Sequence, residues 1–399
     1  MGLVEVSQRA KGIAPSATLA ITNKAKVLKS QGLDIVGFGA GEPDFDTPLH
    51  IKEAACESLK QGFTKYTATE GIVPLRKAIA AKLKKRNNLD YNTDEILVSC
   101  GAKHSLYNAF MCVLNPGDEV ILPLPYWVSY DEQIRLCGAR VIAAKPESNL
   151  KITGDTIRRL RTPNTKLLVL NSPNNPTGIV YSEDELRDIG QAILETDMGV
   201  ISDEIYEDFT YDGVKVNSIV TVMPELKDRT IIINGVSKTY SMTGWRIGYA
   251  AGPKDIIKAM GNLQAHSTSN PTSFAQVAAV QALEGSQESV EMMRNAFLER
   301  RDYIVKALNE IPGIKCDMPA GAFYVFPNVS GLYGKTTSKG TLINDSQSLS
   351  ATLLEEAFVA VVPGDAFGTD EYVRLSYACD LASIKKGINR IEEFVRKLR

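Results

Sequence analysis

Polar and charged side chains gather where short apolar runs stop. Asn171-Ser-Pro-Asn-Asn175-Pro-Thr-Gly178 follows KLLVL, Asp203-Glu-Ile-Tyr206 follows MGVIS, and Ser237-Lys238 follows TIIING. Arg246 opens a further apolar stretch. The segment Ile96–Leu114, ILVSCGAKHSLYNAFMCVL, reads as strand, tight glycine turn and helix. That reading sets Gly101, Ala102 and Lys103 at a helix N-terminus, whose free N–H groups suit an anion. Each feature alone is equally a structural one: Asp203 a helix cap, Asn175 a turn residue, Gly101–Lys103 an ordinary strand-to-helix turn. Taken together they share a chemistry. A lysine at a crowded sheet edge loses its proton more easily and becomes a nucleophile toward carbonyls. Pyridoxal phosphate needs such a lysine, a carboxylate beside its ring nitrogen, an anion cradle and donors near its phenolic oxygen. Lys238, Asp203, the Gly101–Lys103 turn, and Asn175 with Tyr206 meet these needs in that order. The aspartate has a definite task, which is to keep the ring nitrogen protonated so that the ring accepts electrons from a carbanion.

The elements that must position these residues follow from periodicity. Seven candidate strands are Ile96–Cys100, Glu119–Leu124, Arg140–Ala144, Lys166–Asn171, Met198–Asp203, Thr230–Asn234 and Arg246–Ala250. Several are continuously apolar, as expected of strands covered on both faces. Helical patterns lie between them. Ser182-x-x-Glu185 is a capping box, followed by Leu186, Ile189 and Ile193 on one face. The rhythm predicts an α/β fold: a mainly parallel seven-stranded sheet covered by helices. In such sheets ligands bind beyond the carboxyl ends of the strands, so Asn175, Asp203, Tyr206 and Lys238 are expected in one crevice. The last hundred residues predict a smaller α+β domain. It has a long helix over Glu291–Ile311, short strands near Ala322–Phe326 and Tyr372–Tyr377, and a final helix burying Ile384, Ile388, Ile391, Val395 and Leu398. The expected division is 1–45 as an arm contributing to the small domain, 46–295 as the large domain and 296–399 as the small domain. Ser330–Gly340 reads as a loop.

Composition narrows the chemistry further. Lys plus Arg is 45 and Asp plus Glu is 47, a net charge of −2, which argues against nucleic acid or an anionic membrane held by bulk charge. The three histidines, His50, His104 and His266, form no metal signature, and the six cysteines form no CxxC. No metal is expected. GFGAGE at Gly37–Glu42 has Glu42 where a dinucleotide loop needs its last glycine, and GLYGKTT has Val329 where a P-loop needs its first. The opening MGLVEVSQRAKG has no apolar core of a leader peptide, and no run of about 18 apolar residues occurs, so a cytoplasmic location is expected.

The chain closely resembles class I aminotransferases of the aspartate aminotransferase family, with pyridoxal phosphate fold type I. Its details are most similar to the bacterial and plant-plastid subgroup that contains aspartate and prephenate aminotransferases. The resemblance is carried by AGEPDFDTP (Ala40–Pro48), KYTATEG (Lys65–Gly71), PYWVSY (Pro125–Tyr130), NSPNNPTG, SDEIYE, SKTYSMTGWRIGY (Ser237–Tyr249), VPGDAFG (Val362–Gly368) and VRLSYA (Val373–Ala378). It implies that Lys238 is the Schiff-base lysine and proton shuttle, that Asp203 partners the pyridine nitrogen, and that Tyr206 and Asn175 serve the phenolic oxygen. Trp127 resembles the aromatic stacked on the ring. Gly101, Ala102, Lys103, Ser237 and Arg246 match the phosphate side of the cofactor site. Tyr66 resembles the tyrosine that reaches the phosphate of a neighbouring subunit, implying a homodimer with shared sites. Arg374 is similar to the arginine that grips the substrate α-carboxylate, and Gly41 lies where backbone touches it. The implied substrates are amino acids and 2-oxo acids, with aspartate and 2-oxoglutarate first.

One departure matters. Many family members bind the distal carboxylate with an arginine from the other subunit, but no arginine lies between Arg246 and Arg294. In the subgroup, Ser16, Thr18 and Lys103 stand for that role, and lysine is a looser anchor than a bidentate arginine. His266 falls in this region, either near the pocket or on the surface. Prephenate or aromatic amino acids are alternative substrates on the same scaffold. A non-catalytic sensor of this fold is a remote alternative, usually marked by a basic helix-turn-helix extension.

Overall fold

The strands of the protein run in two groups. β1 (Val36–Gly37) stands apart at the N-terminal side. The main group is β2 (Ile96–Ser99), β3 (Glu119–Pro123), β4 (Arg140–Ala144), β5 (Thr165–Asn171), β6 (Gly199–Asp203), β7 (Thr230–Gly235) and β8 (Gly248–Ala251). Four short strands follow: β9 (Tyr324–Val325), β10 (Val359–Ala360), β11 (Val362–Pro363) and β12 (Val373–Ser376). This computed structural model describes residues 4–147 and 149–399.

The main sheet has seven strands in the order β2-β8-β7-β6-β5-β3-β4. Only β8 runs against its neighbours, so the expected mainly parallel sheet is found. Successive residues point to opposite faces of a strand. Here both sets are apolar. Leu168, Leu170, Val200 and Ile232 join one buried cluster, and Leu167, Val169, Ile201, Ile231 and Ile233 join the other. Helices Val73–Asn87, Glu183–Leu194 and Ser273–Glu284 supply the first cover, and Ala102–Val113, Ser129–Leu136 and Lys254–Ala265 the second. The Glu183–Leu194 helix starts as the sequence predicts: the Ser182 hydroxyl accepts from the Glu185 amide at 3.2 Å, and Glu185 accepts from the Ser182 amide at 2.7 Å.

A third core lies around β9, β11, β12 and the flanking helices Glu288–Asn309 and Leu381–Arg396. The final helix buries Ile384, Ile388, Ile391 and Val395, as its spacing predicts, with Leu398 packed against them. β1 pairs with β10 in parallel, and the helix Ala17–Ser30 packs through Ala25 against Leu354 and Ala360. The N-terminal segment therefore rests on C-terminal elements. Boundaries moved where end residues left the ladder. The long helix begins at Glu288, and Ser330–Leu332 forms a 3₁₀ turn inside the predicted loop.

Arg246 is a correction. It does not begin a strand: it sits in the left-handed region (φ 59°) after the turn Thr243–Trp245, two residues before β8. Its guanidinium turns back to donate to the Thr243 carbonyl at 2.9 Å and the Cys100 carbonyl at 3.3 Å. Those bonds hold a backbone conformation that arginine alone disfavours.

Phe297 is fully buried and makes edge-on contacts with Phe45 and Phe209 at 5.6 and 5.1 Å. Phe297→Ala is expected to cost about 3–5 kcal/mol in urea unfolding, the usual price of an aromatic-sized cavity. A loss under about 1 kcal/mol would contradict this packing.

Candidate functional site

The parallel register sets the site. Asn171 at the end of β5 lies beside Asp203 at the end of β6, and Asp203 beside Ile233 of β7. The chain then leaves the sheet at all three strands on the same edge. A cavity of about 570 Å³ opens there, between the sheet edge, the Ala17–Ser30 helix and β12. Of the predicted residues, Thr18, Gly41, Ala102, Lys103, Trp127, Asn175, Asp203, Tyr206, Ser237, Lys238, Arg246 and Arg374 all line it, as does Ser16. Gly101 sits just behind as the cap of the Ala102–Val113 helix. Tyr66 does not line the cavity and is 91% exposed, and His266 is an exposed residue outside it.

Lys238 donates to the Gly41 carbonyl at 2.5 Å. Burial lowers its pKa to about 8, Arg246 and Arg374 push the same way, and Glu42 and Asp203 oppose them. The amine is thus far closer to neutral at physiological pH than an exposed lysine. Asp203 shows the opposite shift for the same reason: burial raises its carboxyl to about 6. Tyr130 donates to its Oδ2 at 2.6 Å and the Ile205 amide to its Oδ1 at 3.2 Å, which favour the charged form. A cationic group placed opposite would favour it further.

Asn171 fixes the neighbouring loop. Its amide donates to the Asp203 carbonyl at 2.9 Å, and its oxygen accepts from the Asn175 backbone at 2.9 Å. Asn175 Oδ1 in turn accepts from Arg374 at 3.0 Å, while the other arm of that arginine donates to the Gly39 carbonyl at 2.8 Å. Arg374 is 2% exposed, and its Nε has no partner among the described residues. Tyr324 and Phe367 face it at 4.6 and 5.2 Å. So a buried cation is held by neutral acceptors and aromatic faces, with no carboxylate paired to it among the described residues. Lys103 rests over the Trp127 ring at 4.8 Å, and burial beside Arg246 lowers its pKa.

On another wall, the Ala102–Val113 helix starts without a side-chain cap. Its first intrahelical bonds run from His104 and Ser105 to the Gly101 carbonyl, which leaves the Ala102 and Lys103 amides free. Two glycines make this wall possible. A Cβ on Gly101 (φ 89°) would lie 2.4 Å from the Arg246 guanidinium, and one on Gly248 would lie 2.1 Å from the Ala102 nitrogen. These amides, Ser237 and Arg246 line one wall and offer donors of the kind that could hold an anion.

Three cavity residues escape sequence reasoning. Tyr130 ends the PYWVSY motif with no role assigned to it, yet its hydroxyl reaches Asp203 and its ring meets Trp127 edge-on at 5.3 Å. Tyr324 comes from a two-residue strand, and its hydroxyl bonds that of Tyr206 at 2.9 Å. Glu42, a misfit in a glycine loop, takes the Thr243 hydroxyl at 2.7 Å. The only local signal was their place in apolar or glycine-rich surroundings.

The family model "Aminotransferase class I and II" matches residues 33–391. Aspartate aminotransferase of Bacillus sp. (strain YM-2) is 50% identical over 393 residues, covering 98% of this chain and 99% of that protein. A probable aspartate/prephenate aminotransferase of Rickettsia bellii is 48% identical over 97% of this chain and 98% of its own. Among solved structures, aspartate aminotransferase from Rhizobium meliloti superimposes with a TM-score of 0.96 at 42% identity, covering 99% and 100% of the two chains. The Thermus thermophilus enzyme with maleate gives 0.92 at 42% identity, covering 98% and 100%.

The shifted amine makes a direct prediction. Reductive methylation of Lys238 by formaldehyde, followed by peptide mass spectrometry, should rise with pH through a midpoint of about 8. The neutral amine is the nucleophile, so a lowered pKa moves the rise to lower pH. A rate still climbing toward about pH 10 would mean that the amine behaves as an exposed lysine.

Proposed function

The chain belongs to the class I and II aminotransferases, and from that premise we propose that it is a pyridoxal-phosphate-dependent aspartate aminotransferase. It moves the amino group of L-aspartate to 2-oxoglutarate, giving oxaloacetate and L-glutamate. The observation that carries this reading is Arg374: a buried guanidinium with no anionic partner among the described residues, in one cavity with a lysine of lowered pKa and a buried aspartate. An α-carboxylate is the planar anion that such a fork fits.

The residues present fit the cofactor. The free amides of Ala102 and Lys103, with Ser237 and Arg246, would hold its phosphate, and the glycines at 101 and 248 keep that cradle clear of side chains. Asp203 would pair with the ring nitrogen, Tyr206 and Asn175 would serve the phenolic oxygen, and Trp127 would cover the ring. Bound pyridoxal phosphate supplies an aldehyde that condenses with amines and a ring that takes up the electron pair left by an α-proton.

The chain's own residues do the rest. Arg374 binds the α-carboxylate and so sets which substrate bond faces Lys238. The Lys238 amine takes the α-proton at Nζ and later returns it, a task suited to a group titrating at about 8. Asp203, in its ionised form, keeps a proton on the nitrogen opposite it. The same cavity receives an amino acid and then a 2-oxo acid, both held by Arg374, so turnover is ping-pong. Ser16, Thr18 and Lys103 line the same cavity and would receive the distal carboxylate.

Support for the dicarboxylate comes from relatives named aspartate aminotransferase and from the maleate complex of the Thermus enzyme. A second reading, prephenate as amino acceptor, is favoured by the Rickettsia relative's name and by the lysine anchor at 103. The exposed Tyr66 supports a homodimer in which it serves the partner's phosphate. A cytoplasmic location accords with the finding that no helix among the described residues is long and apolar enough to cross a membrane.

The protein should be yellow with cofactor, and the band should bleach on adding aspartate. Lys238→Ala should still bind cofactor but lose turnover by at least about 10³-fold. Arg374→Lys should raise KM for aspartate and 2-oxoglutarate alike by about 10- to 100-fold, the worth of a charged bidentate contact. A matrix of amino donors against oxo acceptors distinguishes aspartate from prephenate chemistry. Full turnover by Lys238→Ala would refute the assignment.

A further inference from the structure

Behind the cavity, four charged side chains pack together that the chemistry above does not use. Lys82 and Arg86 lie four residues apart on the helix Val73–Asn87, hence on one face. Glu207 and Asp208 follow Tyr206 directly. Lys82 pairs with Glu207, and Arg86 pairs with Asp208. Glu207 also accepts from Asn87 at 2.9 Å and from Asn234, near the end of β7, at 2.5 Å. Asp208 accepts from the Thr239 hydroxyl at 2.6 Å, and Thr239 is the residue after Lys238.

The Lys82–Glu207 pair is largely buried, while Arg86 reaches Asp208 from the surface with 46% of its side chain exposed. A buried ion pair is a costly means of stability, since desolvation offsets most of its attraction and apolar packing would serve as well. The connectivity of the two pairs suggests another use. Each bond runs from the Val73–Asn87 helix to the loop after β6, or from that loop to β7 and the loop after it. Those two loops carry Tyr206 and Lys238. The side chains alternate in direction: Tyr206 and Lys238 line the substrate cavity, while Glu207, Asp208 and Thr239 line a separate one of about 340 Å³ behind it. The two positive and two negative charges balance, so the cluster can hold backbone in place without adding net charge beside Lys238. Glu207, Asp208, Asn234 and Thr239 are all buried, so their bonds to one another lie away from bulk solvent.

We propose that Asp208 and Thr239 are positioning residues for Lys238. Their bond, backed by Arg86 and Lys82, ties the backbone of the reactive lysine to that of Tyr206 and to the Val73–Asn87 helix. The proposal rests on reading Lys238 as the reactive amine. Thr239→Val keeps the side-chain shape and removes the hydroxyl, and Thr239→Ser keeps the hydroxyl. A small displacement of a reacting group is enough to cost a large part of the rate.

Two readouts test it. In protein without cofactor, Thr239→Val should change the methylation rate of Lys238 at least about threefold, leaving exposed lysines unchanged, whereas Thr239→Ser should match the parent. In the holoenzyme, Thr239→Val should lower kcat about tenfold with KM within about twofold, and Thr239→Ser should restore it. A parental Lys238 methylation rate in Thr239→Val overturns the proposal. So does a uniform change at every lysine, which would mean general loosening, or a failure of Thr239→Ser to rescue. The first readout needs no transamination. If Lys238 responds as expected but no variant, parent included, transfers the amino group of aspartate, the positioning role stands and the aspartate reading falls.

Discussion

The site depends on two buried cationic side chains, neither of which forms a direct ion pair among the described residues. Lys238 donates to a backbone carbonyl, and Arg374 to an amide oxygen and a carbonyl. Neutral acceptors can aim a cation, but they do not offset the cost of removing it from water. Such an arrangement carries a desolvation cost that an anion placed against it would offset. The lowered pKa values of Lys238 and Arg374, both due first to burial, are two expressions of this one constraint.

A single stretch of chain mediates it. After β1, the backbone of Phe38–Gly41 crosses between the large sheet and the C-terminal elements. Phe38 bonds to Ala360 and Ser376, the Gly39 carbonyl receives Arg374, and the Gly41 carbonyl receives Lys238. A Cβ on Gly41 would lie 2.7 Å from the Tyr324 hydroxyl, so glycine is required for the close approach. The cation from the main sheet and the cation from β12 are thus held by carbonyls two residues apart. Arg374 and Lys238 are linked through this short segment.

The other organising device is the shared strand end. Parallel strands present their carboxyl ends to one edge, and loops leaving that edge converge. Asn171, Asp203 and Ile233 are level in the ladder, so Asn175, Tyr206 and Lys238, a few residues on, meet without any long excursion. The same loops face two ways, toward the cavity and toward the ion pairs behind it.

Much of this was legible in the chain. Continuous apolar runs such as KLLVLN specify strands buried on both faces, and the Ser182–Glu185 box specifies a helix start, because both signals are local and periodic. Placing Asn175, Asp203, Tyr206 and Lys238 in one crevice needed only the rule that parallel strands end together. Other features belong to the tertiary structure. The Tyr130–Asp203 bond joins residues 73 positions apart, and the Tyr206–Tyr324 bond joins residues 118 apart. No local pattern encodes either. The left-handed turn at Arg246 runs against residue preference and exists because distant carbonyls hold its side chain. The sequence determined which groups could do the chemistry and which edge they would share. Only the folded chain decided their charge states, because a pKa is set by burial and by neighbours that the sequence order keeps far apart.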